Sequence, residues 1–413
     1  MAQSGDRMSI GYDEFRKQGH RVDMSRGKPS PEQLSLSAGL SSALSADDFR
    51  TADGIDCRNY GILEGIPEAR SLGAELLDVA ASQVLACGNS SLELMYDFLA
   101  GGMLFGMPGF RPWKEAPSVS VVCPVPGYDR HFAICEALGI RMINVPMNAD
   151  GPDMDRVEAI VERDESVKGI WCVPLYSNPS GAIYSGDVIR RLASMRAAAP
   201  DFRLLWDDAY RFHHLTDEKF STVNVVRACA EAGNEDRAVV FASLSKVTFA
   251  GAAMAFFASS KRNLDWWCER TRVRSIGPDK LNQLRHVRFL RDLKGIEQLM
   301  DRHREILAPK FDLVKTNFGN MFGERDDVRW TNPKGGYFID LSTPAGCAAR
   351  AVTLAADAGI TLTAAGAAFP YGKDPDDRHI RIAPSYPTLA ELEAATAGIV
   401  LSVLRAIDSR SAP

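Results

Sequence analysis

The stretch FASLSKVTFAG, residues 241–251, sets Lys246 between small hydroxyl residues and small apolar ones. A lysine there is either a surface charge after a strand or an amine that condenses with a carbonyl group. Three earlier stretches carry groups of related use. CGNSSLELMYDFL (87–99) is a glycine-and-serine loop that opens a helix. SNPSG (177–181) offers Asn178, and DDAY (207–210) offers Asp207, Asp208 and Tyr210. A fourth, PVPGYDRH (124–131), offers Tyr128. Each has a plain structural reading. SNPSG is a good turn, DDAY can cap a helix, and Tyr128 can be a loop aromatic.

Together they describe one chemistry. An aldehyde cofactor held as a Schiff base needs a lysine, and a buried carboxylate on its ring nitrogen makes the ring a stronger electron sink. Its phenolate oxygen takes hydrogen-bond donors. Its phosphate takes backbone N–H groups at a helix N-terminus, plus hydroxyls. Its ring face takes an aromatic neighbour. Lys246 supplies the amine. Asp207 supplies the carboxylate, with Asp208 as the competing choice. Asn178 and Tyr210 are the donors, residues 87–99 suit the phosphate, and Ser243 and Ser245 add hydroxyls beside the lysine.

These groups need a scaffold that presents them on one edge. Strands are expected at 118–124, 141–147, 167–175, 202–208, 237–243 and 252–259. Helices are expected between them, near 130–139, 153–163, 186–198 and 222–232. Such alternation predicts an α/β fold with a mostly parallel sheet covered by helices. In such sheets ligands lie beyond the carboxyl ends of the strands. The stretches PVPGYDRH, YSNPSG, DDAY and SLSK each follow a strand. After about residue 277 the pattern changes to helices within 279–322, short strands in GGYFIDLS, ITLTA and HIRIAP, and helices at 346–358 and 388–406. The expected organisation is an N-terminal arm with part of a small domain (1–50), a large domain (51–277) and a small C-terminal domain (278–413).

Composition narrows the partners. The 413 residues carry a net charge of −5 and no basic stripe, which argues against nucleic acid. The eight cysteines are scattered without a C-x-x-C pair, which suggests free thiols in a reducing compartment and no zinc site. No signal-peptide core or membrane span stands out, so a cytoplasmic protein is expected.

The chain resembles the fold-type-I, pyridoxal-phosphate-dependent aminotransferases of class I, most of all the aspartate aminotransferase subgroup Ic. Marks of the class are YGILEG (60–65), SNPSG, DDAY, SLSK (243–246) and IRIAP (380–384). Marks nearer the subgroup are SRGKPSPEQL (25–34), CPVPGYDRHF (123–132), PMNADGPDMD (146–155) and IGPDKLNQLRH (276–286). The resemblance implies pyridoxal 5′-phosphate as cofactor and a seven-stranded-type sheet in the large domain. It implies Lys246 as the Schiff-base lysine and proton shuttle, and Asp207 as partner of the ring nitrogen. Asn178 and Tyr210 become donors to the phenolate oxygen, and Tyr128 the stacking aromatic. Asn89, Ser90 and Ser91 fall at the phosphate-binding helix start. Tyr60 matches a tyrosine that reaches the phosphate in a neighbouring subunit, so a homodimer with shared active sites is implied. Arg381 matches the arginine that takes the substrate α-carboxylate, and Gly27 the segment that closes over the substrate.

The sequence departs from the class at Met254, eight residues after the lysine, where many members carry a phosphate-binding arginine. Asp208 is expected to point away from the ring, and His213 and His214 to be solvated or structural. Arg26, Lys28, Arg272 and Arg274 are candidates for a second substrate carboxylate. The expected activity is transfer of the amino group of aspartate or glutamate to a 2-oxo acid. The alternative is the same cofactor turned to β- or γ-elimination, replacement or carbon–carbon bond formation. A DNA-binding regulator is disfavoured, since no spare N-terminal module or basic helix is present.

Overall fold

A computed structural model describes residues 11–411; the first ten residues of the expected N-terminal arm and the last two of the chain lie outside the described residues. The large sheet is built from β2 (Val84–Ala86), β3 (Ser120–Val125), β4 (Arg141–Asn148), β5 (Gly151–Pro152), β6 (Val167–Cys172), β7 (Arg203–Asp207), β8 (Ala238–Ser243) and β9 (Ala255–Ser259). Their spatial order is β2-β9-β8-β7-β6-β3-β4-β5. β8, β7, β6, β3 and β4 run parallel, and β9 is antiparallel to both of its neighbours. The seven-stranded sheet is present, with the two-residue β5 added at its edge.

Both faces of the central strands are buried, which explains their continuous apolar runs. Alternate residues enter different cores. Ile170, Cys172, Leu204, Trp206 and Val240 pack on one face. Trp171, Leu205, Val239 and Phe241 pack on the other. The helices that matter to the site follow the strands: α4 (Ser91–Phe105), α5 (Asp129–Ala137), α7 (Gly186–Ser194) and α9 (Lys261–Arg274). α7 stops four residues before the expected 198. There Nη1 of the buried Arg237 takes the carbonyls of Leu192, Ala193 and Met195 and closes the helix end.

The second core gathers both ends of the chain. Tyr12 and Phe15 of α1 (11–17) pack with β11 (Ile339–Ser342), β13 (His379–Ile382) and α13 (Leu389–Ser411). β1 (Val22–Asp23) pairs with β12 (Ile360–Thr361). A long helix connects the cores. Leu284 and Leu290 of α10 (Lys280–Leu290) and Ile296 and Leu299 of α11 (Leu293–Phe322) belong to the large-sheet core. From Leu307 onward α11 belongs to the other core.

Candidate active site

β7 lies parallel to β8 with Asp207 opposite Phe241, so the residues after both strands emerge at one edge. Strand alternation puts Asp207 on the same face as Leu205, toward α5. There His131 Nε2 donates to Asp207 Oδ2 at 3.0 Å, and both residues are buried. The His131 ring is stacked on Trp171 with centroids 4.0 Å apart and planes 4° from parallel. Asp207 Oδ1 is buried and has no hydrogen-bond partner in the protein. A carboxylate oxygen in that state costs free energy unless a donor arrives, and the donor's place is the cavity it faces. Asp208 turns away, as expected, and its carboxylate accepts from Arg211 Nε at 2.8 Å and Nη2 at 2.7 Å.

Lys246 lies in the short return from β8 to antiparallel β9. A parallel partner for β8 would need a crossover of a dozen or more residues. The return keeps Lys246 at the edge where Asp207 ends. Burial lowers the pKa of its amine, and the charge of Asp207 acts in the opposite direction. Its Nζ lies 5.1 Å from the centroid of the Tyr210 ring. Lys246, Asp207, Tyr128, Asn178, Tyr210 and Ser91 line one small cavity. Burial raises the pKa of both Tyr128 and Tyr210, so both phenols keep their protons.

Beyond the lysine lies the start of α4. Ser90 is its N-cap, and the Ser90 Oγ accepts from the Glu93 N–H at 3.3 Å. Among the described residues, no acceptor in the protein takes the N–H of Ser91 or Leu92. Free N–H groups at a helix start suit an anion. Ser243 Oγ and Ser245 Oγ are 3.0 Å apart. Ser245 Oγ also donates to the Asn89 carbonyl at 3.5 Å, and Asn89 Nδ2 to the Gly251 carbonyl at 3.2 Å. Asn89 and Ser90 thus shape the loop with their side chains. Met254 is buried in the large-sheet core and brings no charge here.

A cleft of about 430 Å³ opens from this cavity. Arg381 in its wall is 8% exposed. Its Nη1 donates to Asp129 Oδ1 at 2.7 Å and Asn178 Oδ1 at 3.4 Å, and its Nη2 to Thr363 Oγ1 at 3.2 Å. Its Nε is buried without a partner. The Phe338 ring backs the guanidinium at 4.9 Å. Gly27 lines the same cleft, where a Cβ would come within 2.6 Å of Phe338 Cζ. Of the four expected cations, Arg26 and Lys28 line this cleft, while Arg272 lines a different cavity and Arg274 pairs with Asp97 at 2.7 Å. Tyr60 lines neither cavity and is 83% exposed. Its loop is held by Lys280, whose Nζ donates to the carbonyls of Asn59 and Gly61.

Sequence reasoning left several groups unassigned. His131, Asp129 and Arg130 stand inside the quoted CPVPGYDRHF, and the spacing of Tyr128 and His131 places both on one side of the first turn of α5. Thr363 carried no signal, because it reaches Arg381 only through tertiary packing. The histidine pair also proves to be built in: His213 is 3% exposed, and Tyr176 Oη meets His214 Nδ1 at 2.6 Å.

The family described as aspartate amino-transferase matches residues 1–412. An aspartate aminotransferase of Corynebacterium glutamicum is 45% identical over 396 residues, covering 96% of this chain and 91% of that protein. A crystal structure of an aspartate transaminase from the same organism superposes with a TM-score of 0.97 at 43% identity, covering 100% of this chain and 97% of that one. An α-aminoadipate aminotransferase of Thermus thermophilus shares the fold, with a TM-score of 0.77 at 20% identity over 94% of this chain and 93% of that one. The architecture is that of the fold-type-I aminotransferases, and the chain belongs to the aspartate aminotransferase family.

Proposed function

We propose that this aminotransferase uses pyridoxal 5′-phosphate to move the amino group of aspartate or glutamate to a 2-oxo acid in a two-stage, ping-pong reaction. The observation that carries the reading is the orphaned, buried Oδ1 of Asp207 facing a cavity that also holds the Lys246 amine. When bound, pyridoxal phosphate supplies an aldehyde that accepts the amino group and a ring that draws electrons from the substrate α-carbon. Asp207 Oδ1 holds the proton of the ring nitrogen, while His131 fixes the other oxygen. Asn178 uses its amide oxygen to accept from Arg381, which leaves its N–H groups, with the Tyr210 hydroxyl, for the phenolate oxygen. Tyr128 covers the ring. The N–H groups of Ser91 and Leu92 and the hydroxyls of Ser243 and Ser245 take the phosphate. The amine of Lys246, its pKa lowered by burial, takes and returns the α-proton.

Arg381 takes the α-carboxylate, and Arg26 and Arg130 at the cleft mouth take the second one. Both line the cleft, and neither has an ion pair among the described residues. The protein works as a homodimer. Tyr60, Val273, Ile276 and Phe105 are large apolar residues left 83%, 89%, 62% and 50% accessible, and Gly277, next to Ile276, packs on the Gly61 carbonyl beside Tyr60, so this surface suits an interface. Tyr60 then reaches the phosphate of the neighbouring subunit. The N-terminal segment and the second core form one unit, the large sheet the other, and α11 links them. The unpaired cysteines fit the cytoplasm.

The test is a half-reaction. Aspartate or glutamate added alone to purified holoenzyme releases one equivalent of 2-oxo acid per site with a change in cofactor absorbance, and a 2-oxo acid restores the spectrum. Ammonia release, or no change with any dicarboxylic amino acid, sinks the proposal.

A further inference from the structure

The turn that carries Lys246 leaves its own backbone unsatisfied. The N–H groups of Val247 and Thr248 both bond to one carbonyl, that of Leu244, at 2.9 Å each. Among the described residues, no backbone N–H reaches the carbonyl of Lys246 or of Val247. Buried carbonyls need donors, and here the principal donors are imidazoles. His213 Nε2 donates to the Lys246 carbonyl at 3.3 Å. His303 Nε2 donates to the Val247 carbonyl at 3.1 Å, joined by Ser37 Oγ at 3.4 Å. His286 Nε2 meets Thr248 Oγ1 at 3.0 Å. Three consecutive residues are thus each held by a histidine, and the three come from the segment after β7, from α11 and from α10.

In His303 and His286 the second ring nitrogen assigns the tautomer, while His213 Nδ1 is buried without a partner and its tautomer follows from the bond of Nε2 to the carbonyl. His303 Nδ1 accepts from Gln33 Nε2 at 2.9 Å, so its proton sits on Nε2. The other N–H of Gln33 goes to Tyr337 Oη at 2.9 Å, and its Oε1 accepts from the Ser30 N–H at 3.1 Å. His286 Nδ1 donates to the Asn282 carbonyl at 2.8 Å, leaving Nε2 to share the proton of the Thr248 hydroxyl with the Leu244 carbonyl, 3.2 Å from that hydroxyl. The His213 ring stands edge-on to Tyr210, centroids 5.6 Å apart, and to Tyr337 at 5.4 Å. All three histidines are buried, and burial lowers the pKa of His213 to about 3, of His303 to about 4, and of His286 as well. They stay uncharged beside an amine that a neighbouring positive charge would repel.

We infer that His213, His303 and His286 are positioning residues for the amine of Lys246, acting as a clamp on residues 246–248. A lysine side chain has four rotatable carbon–carbon bonds, so the place of its amine depends on how firmly the backbone beneath it is held. Gln33 extends the clamp to α2 (Pro31–Ser35), which follows the cleft-lining residues Gly27 and Lys28. The segment over the substrate and the turn under the lysine therefore share one polar network.

The inference rests on Lys246 as the reactive amine, so the wild-type protein is the control. Apo-protein is mixed with pyridoxal 5′-phosphate and reduced with borohydride at timed intervals, and capture at Lys246 is read by peptide mass. In His213→Leu, which has no donor, capture slows roughly tenfold or more, and kcat falls in parallel while KM for aspartate holds, because a misplacement of about 1 Å can lower a rate some 10²-fold. His213→Gln places an N–H near the same point and restores most of the rate. A role in stability alone would lower the melting temperature without slowing capture by folded protein. Capture at the wild-type rate in folded His213→Leu, or a glutamine variant as slow as the leucine one, overturns the inference. If His213→Leu does not fold, Thr248→Val is read in its place: slowed capture supports the clamp, and an unchanged rate overturns it. No capture at Lys246 in the wild type would instead refute the reading of the lysine.

Discussion

Asp207 keeps its two oxygens in different surroundings, one bonded to His131 and one without a partner. That asymmetry gives the first prediction. Asp207→Asn keeps the shape and loses the charge, so a charge-assisted hydrogen bond of about 2–3 kcal/mol is lost and kcat falls roughly 30- to 150-fold. Steady-state kinetics on cofactor-saturated protein measure it; an unchanged kcat removes Asp207 from the ring-nitrogen role. The second prediction concerns substrate choice. Arg26→Gln and Arg130→Gln should raise KM for aspartate about tenfold or more, while alanine, which lacks a second carboxylate, is little affected. Equal effects on both amino acids would place the second carboxylate elsewhere. At this scale the candidates Lys246, Asp207, Asn178 and Tyr210, which line one cavity, and Arg381, which lines the adjoining cleft, were legible in the sequence, each inside a short motif. His131 stood in a motif without a role, because only the fold turns its ring under Asp207.

At the scale of elements, the segment around Gly27 is held close by its contacts. A Cβ at Gly27 would meet Phe338 Cζ at 2.6 Å and Tyr337 Cβ at 3.0 Å. Phe338 backs the Arg381 guanidinium. Gly27→Ala should therefore push Phe338 and shift the carboxylate site, with a strain of about 1–3 kcal/mol. The expected result is a raised KM for the amino donor with a far smaller change in cofactor affinity, read by kinetics and by cofactor titration. An equal loss of both would point to general unfolding. The strands and most helices could be read from periodicity. The return from β8 to β9 could not, since two adjacent apolar runs do not reveal whether they pair parallel or antiparallel. Nor could the end of α7, which depends on an arginine more than forty residues away in sequence.

At the scale of the molecule, the exposure of Tyr60, Val273 and Ile276 predicts a dimer of the 45.2 kDa chain. Sedimentation should give twice that mass, and Val273→Glu should shift it toward the monomer with loss of activity. A fully active monomer would end the shared-site reading. The buried histidines predict an acid limit to stability. His213 and His303 are held neutral by burial, far below their ordinary pKa of 6.5. As pH falls below 6.5 the unfolded chain binds protons at these rings and the folded chain does not. Stability therefore falls with pH, by up to about 1.4 kcal/mol per pH unit for each ring. Urea midpoints between pH 6.5 and 5, above the main carboxylate range, should drop, and His303→Gln should flatten the slope; a flat wild-type profile in that window contradicts it.

The sequence by itself determined the α/β class, the order of the motifs and the candidate residues that line the cavity and its cleft. Those depend on local patterns: apolar runs, turn residues, and a lysine or aspartate at the end of a strand. Tertiary structure alone decided that Asp207 Oδ1 is left without a partner, that Arg26 and Lys28 reach the cleft while Arg272 and Arg274 do not, and that three histidines far apart in sequence hold residues 246–248. These facts depend on which groups meet across the packed cores. A burial pattern along one strand says that a side chain is inside, and only the packing of the other elements says what it touches there.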